Sequence, residues 1–160
     1  MRAPVYSELK SEQGTYVLWL YLPAAQKIQI GHFKNIFFDE GYYAYVGSAF
    51  GSGGVRARLG RHFKENKNKH WHIDYLREYC MPVGAWMTYS VVKYEHQFAT
   101  ILSNIKSPKV AIRGFGSTDC NCETHLFRFS RQPVLSTFRK YACSANVQVK
   151  QVKTAGVLIT

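Results

Sequence analysis

Tyrosine, arginine, histidine and glutamate side chains occur in this sequence at positions that could meet in one site. Tyr16 and Tyr45 lie in two aromatic, β-branched runs that resemble strands. Arg58 and His62 are four residues apart, so they would share one face of a helix. Glu95 begins a later helical pattern in apolar and aromatic surroundings. Each residue alone has a structural explanation, since strand tyrosines usually pack, helix arginines are usually solvated, and an early glutamate complements the helix dipole.

Taken together, these side chains suit the cleavage of a phosphodiester bond. The reaction places negative charge on a pentacoordinate phosphorus, which Arg58 could offset. A divalent metal ion assists such chemistry, and a carboxylate such as Glu95 can hold one. A base must activate water, and a tyrosine can serve only if a nearby cation lowers its pKa from about 10.

The hydrophobic pattern predicts strands that would carry the two tyrosines. Residues 15–22 form a continuous apolar run, typical of a strand buried on both faces, and Pro23 ends it. Residues 27–30 alternate, and residues 42–47 follow a Glu-Gly turn signal. We expect these three strands to form a small antiparallel meander.

The rest of the sequence predicts helices around that sheet. A Gly/Ser loop leads into residues 55–64, where Val55, Leu59 and Phe63 recur at helical spacing. Further elements are predicted as helices at 70–79 and 94–104 and as strands at 83–89 and 125–129. Residues 133–142 are ambiguous, and 147–159 could be an edge strand or an extension.

Composition and charge indicate one globular domain with a polyanionic partner. The 160 residues are 46% hydrophobic, and 21 Lys and Arg against 10 Asp and Glu give a net charge of +11. Such a charge suits nucleic acid or an anionic membrane surface, and the alternative is a charge that only confers solubility. We predict phosphate contacts from basic residues of the first helix, the following loop and the C-terminal segment: Arg56, Arg61, Lys64, Lys67, Lys69, Lys150 and Lys153.

No apolar run reaches the length that spans a bilayer, and the N-terminal residues do not resemble a signal peptide. We therefore expect a cytoplasmic protein without a membrane partner, a monomer or weak dimer, whose four cysteines lie in a reducing compartment.

Several strings of residues, in this order, resemble the GIY-YIG nuclease superfamily. Gly14-Thr15-Tyr16 and Tyr45-Val46-Gly47 correspond to the two name-giving strings, residues 58–63 to the arginine helix, and residues 95–99 to the helix with the metal-binding glutamate. The sequence is most similar to a Uri-type endonuclease subgroup, related to a domain of unknown function. Two further strings, at residues 70–76 and 114–122, point to that subgroup, and the similarity covers roughly residues 14–130.

The resemblance implies an α+β fold, with a three-stranded antiparallel sheet flanked by helices, and metal-dependent hydrolysis of DNA. Tyr16 would be the general base, Arg58 would steady the phosphate, His62 would assist, and Glu95 would hold one Mg²⁺ or Mn²⁺ ion. We place a polar lead-in at 1–13, the nuclease domain at 14–143 and a basic extension at 144–160.

The sequence departs from the family pattern at four points. Thr15 replaces the usual apolar residue, and the 29-residue separation of Tyr16 and Tyr45 leaves room for an extra turn or hairpin. Residues 51–54 expand the loop before Arg58, and a late asparagine of many members has no clear counterpart. None of these departures removes a predicted catalytic group.

A histidine-rich segment offers a further catalytic candidate. In a helix, His70 and Asp74 would be neighbours one turn apart, while His72 would point elsewhere. His70 could then reach the active face with its ring oriented by Asp74, or it could be a structural histidine.

Cysteines offer a second kind of metal site. Cys120, Cys122 and His125 could bind zinc together with Cys143 or Cys80, although this spacing is not that of a standard zinc knuckle. Buried thiols around a tight loop are the favoured interpretation. The resemblance also puts Asp119 and His125 near the rim of the active site.

Two other functions compete with a DNA endonuclease. One is a non-catalytic nucleic-acid-binding module with zinc at the Cys120/Cys122 loop, and the other is an RNA-cleaving nuclease. The presence of both Arg58 and Glu95 favours a catalytic protein.

Overall fold

The computed structural model describes residues 8–32, 34–64, 68–107, 109–116, 122–143 and 146–154. Within these residues the chain forms eight strands and four helices. The strands are β1 Gly14–Leu22, β2 Gln26–Ile30, β3 Lys34–Phe38, β4 Gly41–Ala49, β5 Met81–Tyr89, β6 Lys109–Ala111, β7 Leu126–Phe129 and β8 Lys150–Lys153. The helices are α1 Gly54–Phe63, α2 His72–Arg77, α3 Glu95–Asn104 and α4 Leu135–Cys143.

Six of the described strands form one antiparallel sheet in the order β6-β7-β4-β1-β5-β8. The continuous apolar run of β1 lies at its centre and is hydrogen-bonded to β4 and β5. Nearly all of β1 is buried, as predicted for a strand covered on both faces.

Each face of the sheet carries its own hydrophobic core. On one face, Leu18 and Leu20 pack with residues of α1 and α2, including Leu59 and Ile73. On the other face, Trp19 packs with residues of α3 and α4, such as Phe98 and Phe138. The alternation of side chains along β1 therefore divides its residues between two helical layers.

The α+β class is confirmed, but the predicted three-stranded meander is wrong. β2 and β3 pair with each other in a separate two-stranded sheet, while β1 pairs directly with β4. Ile28, Ile30 and Phe38 of this hairpin are buried against the α1/α2 core. The long separation between the two tyrosines is therefore a hairpin that leaves the main sheet and returns to it.

The later elements also refine the predictions. The ambiguous segment 133–142 contains most of α4, and the basic C-terminal segment contains β8, which pairs with β5 at the edge of the sheet. The second helix begins at His72 rather than residue 70.

Candidate active site

A cavity of about 330 Å³ opens where β1, β4, α1, α2 and α3 meet. Its lining contains every catalytic residue predicted from the sequence: Tyr16, Tyr45, Arg58, His62, His70 and Glu95. Val46, Gly47, Ser48, Trp71, His72 and Gly116 complete the wall. A larger cavity of about 580 Å³, which α4, β5 and β8 help to line, contains none of the predicted catalytic residues.

The two tyrosines share one face of the sheet because of the register between β1 and β4. Tyr16 lies opposite Gly47, and Tyr45 lies opposite Leu18. Leu18 is two residues from Tyr16, so both tyrosine rings project toward the α1 side. A Cβ atom on Gly47 would come within 2.5 Å of the Tyr16 hydroxyl oxygen. Glycine at this position therefore leaves the space that the Tyr16 ring occupies.

His62 meets the Tyr16 hydroxyl inside the protein. The hydroxyl oxygen lies 2.7 Å from His62 Nε2, and both side chains are buried. His62 belongs to α1, whose buried face fixes the helix on the sheet. When Nε2 carries no proton, the phenol donates its hydrogen to that nitrogen. The ring of Tyr45 stands edge-on to the same imidazole at 6.2 Å between centroids.

Burial raises the pKa of both phenols above that of a free tyrosine. It raises the pKa of Tyr16 strongly, and proximity to Tyr45 raises it further, while the Arg58 guanidinium acts in the opposite direction. Burial and the Glu95 carboxylate raise the pKa of Tyr45 to about 12, again against Arg58. The one cation beside these phenols in the described residues does not overcome desolvation, so Tyr16 can act as a base only if its own proton has an acceptor.

Arg58 is restrained at the cavity by two neighbours. Its Nη1 donates to the Ser48 carbonyl at 3.0 Å. The guanidinium carbon lies 4.4 Å from the centre of the Trp71 ring. Arg58 is half-buried, which strengthens its interaction with an anion at the cavity.

Glu95 reaches the cavity from the first residue of α3. The backbone N–H of Tyr94, the residue before this helix, donates to Thr15 Oγ1 at 3.0 Å. Thr15 precedes Tyr16 and lies on the opposite face of β1, so one strand positions both the phenol and the start of the helix that carries Glu95. Glu95 Oε2 lies 3.7 Å from Nδ1 of the buried His125. Burial lowers the pKa of His125, although the Glu95 carboxylate opposes this shift.

These residues fit a weakly held divalent ion of the hard, oxygen-binding type. The Glu95 side chain is 28% exposed at an open cavity, so solvent and substrate oxygens can reach the carboxylate. Mg²⁺ and Mn²⁺ accept such sites because they keep several water ligands and take one or two carboxylates. Within the described residues no group of three or more His, Cys, Asp and Glu side chains is arranged to hold a metal.

A family match covers most of the chain. Residues 15–147 match the model of a family described as "Domain of unknown function DUF123". The chain belongs to this family. No curated protein and no solved structure matches it. The matched region of this DUF123 member includes every residue named above as lining the cavity.

The predicted helical arrangement of His70 and Asp74 is wrong, because α2 begins only at His72 and the Asp74 carboxylate binds the backbone before it. Asp74 Oδ2 accepts the backbone N–H groups of His70 at 2.8 Å and Trp71 at 3.0 Å, at the start of α2. It also accepts Arg61 Nη2 at 2.8 Å. His70 therefore precedes the helix, and both His70 and His72 line the cavity.

The residues predicted to contact phosphates differ in whether they are exposed or paired with a carboxylate. Arg56 and Lys64 are exposed on α1. Arg61 instead pairs with the buried Asp74 carboxylate, and Lys69 pairs with Glu78 at 2.8 Å. Lys67 lies outside the described residues.

The described cysteines of this DUF123 chain lie in different parts of the fold. Cys80 is buried in the α1/α2 core, and burial raises the pKa of its thiol to about 12. Cys122 Sγ lies 3.1 Å from Nδ1 of His96, a residue that sequence reasoning did not consider. Cys120 and Asp119 lie outside the described residues, so the zinc hypothesis stays a prediction.

The sequence did not indicate a role for Trp71, and it placed His125 only near the rim of the active site. Trp71 lines the cavity and contacts two arginines, and His125 faces Glu95. The signal for Trp71 was its place between two histidines in a string already connected with the family.

None of the helices in the described part of the chain is both long and apolar enough to cross a membrane.

Proposed function

We propose that this protein is a metal-dependent endonuclease that hydrolyses phosphodiester bonds of DNA. The observation that carries the proposal is the buried Tyr16–His62 contact in a cavity that Arg58 and Glu95 also line. A proton acceptor, a cation and a carboxylate then lie around one space of suitable size. The net charge of +11 supports a nucleic-acid substrate.

The tyrosine would act through a relay. Its raised pKa argues against a stable phenolate, but the phenol can pass its proton to His62 Nε2 as its oxygen takes one from water. The water oxygen then attacks phosphorus as the bond from phosphorus to the leaving oxygen breaks, and the proton rests on the imidazole. Neither a free phenolate nor a lowered tyrosine pKa is required.

Arg58 and a divalent ion held by Glu95 would both offset negative charge that develops during the reaction. Arg58 would donate to the nonbridging oxygens as negative charge grows on the phosphate. Glu95 would hold Mg²⁺ or Mn²⁺, and a bound divalent ion would neutralise charge on the phosphate and the leaving oxygen. One such site would nick a single strand, so cutting both strands would need a dimer or two encounters.

A substrate panel tests the proposal. Labelled duplex, flapped, branched and single-stranded DNA, with matched RNA, are incubated with Mg²⁺ or Mn²⁺. We expect the wild type to cleave DNA, while Glu95→Gln binds DNA without cleaving it. Glu12→Gln removes a charge from a side chain that is 60% exposed and should remain active.

Three outcomes would contradict this proposal in distinct ways. Cleavage of RNA alone would change the substrate class. Normal cleavage by Glu95→Gln in magnesium would remove its role as the metal ligand. Nucleic-acid binding with one tightly bound zinc per chain and no cleavage would favour a non-catalytic module.

A further inference from the structure

Trp71 lies at the wall of the cavity and contacts two arginines of α1. The guanidinium carbon of Arg58 is 4.4 Å from the centre of the ring, and that of Arg61 is 4.7 Å away. The tryptophan is 36% exposed, so its ring is not simply part of the core. Indole is the strongest aromatic partner for a cation, and arginine can also stack on its plane.

The position of Trp71 is fixed by the fully buried Asp74. One oxygen of this carboxylate accepts the backbone N–H of Trp71, the backbone N–H of His70 and the guanidinium of Arg61. The segment before α2 is thereby attached to α1. Asp74 also places a negative charge next to one of the two arginines that share the indole ring, which reduces their mutual repulsion.

Arg58 needs such a restraint because a long side chain loses rotamer freedom when it is held in one geometry. Its hydrogen bond to the Ser48 carbonyl holds one nitrogen, and a stacked ring restricts the plane of the whole guanidinium. With both contacts, the guanidinium is kept at the cavity wall before any phosphate arrives. A preorganised donor of this kind needs no rearrangement as charge develops.

We propose that Trp71 is a positioning residue that orients the Arg58 guanidinium toward the scissile phosphate, with Asp74 and Arg61 holding the indole in place. This inference rests on the proposed nuclease function, since it assigns Trp71 a part in that reaction. Trp71 acts through Arg58, so its contribution should disappear when Arg58 is absent.

A double-mutant cycle tests this dependence. Trp71→Leu should lower kcat on the order of 10-fold, the effect of losing one partly desolvated cation–π contact, with little change in KM. Trp71→Phe keeps an aromatic face and should recover most of the activity. In an Arg58→Ala background, Trp71→Leu should cause little further loss. Tyr79→Leu removes another exposed aromatic, 45% exposed just after α2, and should leave kcat unchanged.

A second measurement does not depend on cleavage. In the wild type, the ring current of Trp71 should shift the NMR signals of the Arg58 side chain, and Trp71→Leu should abolish that shift. Thermal unfolding of each variant shows whether it is folded.

The outcomes separate the two proposals. Additive losses in the cycle, or an unshifted Arg58 signal in the wild type, would overturn the role of Trp71 and leave the nuclease proposal intact. A raised KM with unchanged kcat would also overturn it, indicating a base-stacking surface instead. A wild type that shows the NMR shift but cleaves no nucleic acid would overturn the proposed function, and with it any part of Trp71 in that reaction.

Discussion

At the scale of single residues, the main finding concerns how a buried tyrosine could handle a proton. The sequence predicts that Tyr16 and Tyr45 share a face near Arg58 and His62, and the structure brings all four to one cavity. The sequence also predicts that cations must lower the pKa of Tyr16 if it is to act as a base. In the structure, burial raises this pKa despite the nearby Arg58. Desolvation depends on the packing of distant strands and helices, so spacing along the chain could not reveal its magnitude.

Replacement of Tyr16 tests the relay to His62. Tyr16→Phe removes the hydroxyl and little else, so the protein should fold and bind DNA while cleavage falls steeply. Tyr45→Phe should cost less, because the Tyr45 ring only stands edge-on to the imidazole and its side chain lies partly open to the cavity. Single-turnover rates between about pH 6 and 9 on a nicking substrate measure both effects.

A fully active Tyr16→Phe protein across that range would transfer the role of base to a histidine. A larger loss in Tyr45→Phe than in Tyr16→Phe would instead exchange the roles of the two phenols.

Replacement of Arg58 should affect catalysis more than binding. Arg58→Ala should lower turnover by on the order of 10²–10³-fold, the usual loss for one preorganised donor. DNA affinity should fall far less, because other cations share the phosphate contacts. Arg56→Ala provides the matched control on the exposed side of α1. Rapid-quench cleavage and fluorescence-anisotropy titrations separate the two quantities, and near-normal turnover by Arg58→Ala would rule out its assignment.

At the scale of elements, local patterns predicted most helices and strands but not all of their partners. The recurrence of Val55, Leu59 and Phe63 predicts α1 within one residue of its bounds. The alternation at residues 27–30 identifies β2 correctly as a strand, but alternation does not specify which strand pairs with it. The helix α2 begins later than predicted because the Asp74 carboxylate accepts two backbone N–H groups before it. Hydrophobic periodicity cannot indicate such a contact.

The hydroxyl of Thr15 connects β1 to the start of α3, and its removal tests how Glu95 is positioned. Thr15→Val keeps the shape but leaves the Tyr94 N–H without its side-chain acceptor, which should cost about 1–3 kcal/mol of stability. Cleavage should also fall, since the first turn of α3 carries Glu95.

Thr15→Ser retains the acceptor and should preserve most activity. Urea unfolding and initial rates of cleavage make the comparison. Equal rates in Thr15→Val and the wild type would show that the hydroxyl contributes nothing to the position of Glu95.

At the scale of the whole molecule, buried acids make stability depend on alkaline pH. The Cys80 pKa is raised from 9.0, and that of Tyr45 from 10.0, each to about 12. The unfolded chain would release these protons first, so the stabilisation is complete below about pH 9 and is lost as the pH rises toward 12. Each group contributes at most about 1.4 kcal/mol per pH unit in that window.

Urea unfolding at about pH 7, 9 and 10.5 should show this decline, and Tyr45→Phe should make it shallower. Identical pH slopes for the wild type and Tyr45→Phe would show that Tyr45 titrates alike in the folded and unfolded chains.

Because β1 lies at the centre of the sheet, the Tyr16 wall of the cavity should be more rigid than the Trp71 wall. Tyr16 stands on a strand with partners on both sides, so its backbone hydrogen bonds should open only when the whole domain unfolds. The Trp71 side precedes a six-residue helix outside the sheet, and side-chain hydrogen bonds of Asp74, Arg61 and Arg77 attach this region to α1. Amide hydrogen exchange should therefore be slowest around Tyr16 and much faster around Trp71. Any widening of the cavity to admit a nucleic-acid strand would come from the Trp71 wall, while the Tyr16 wall stays fixed as the reference for the chemistry.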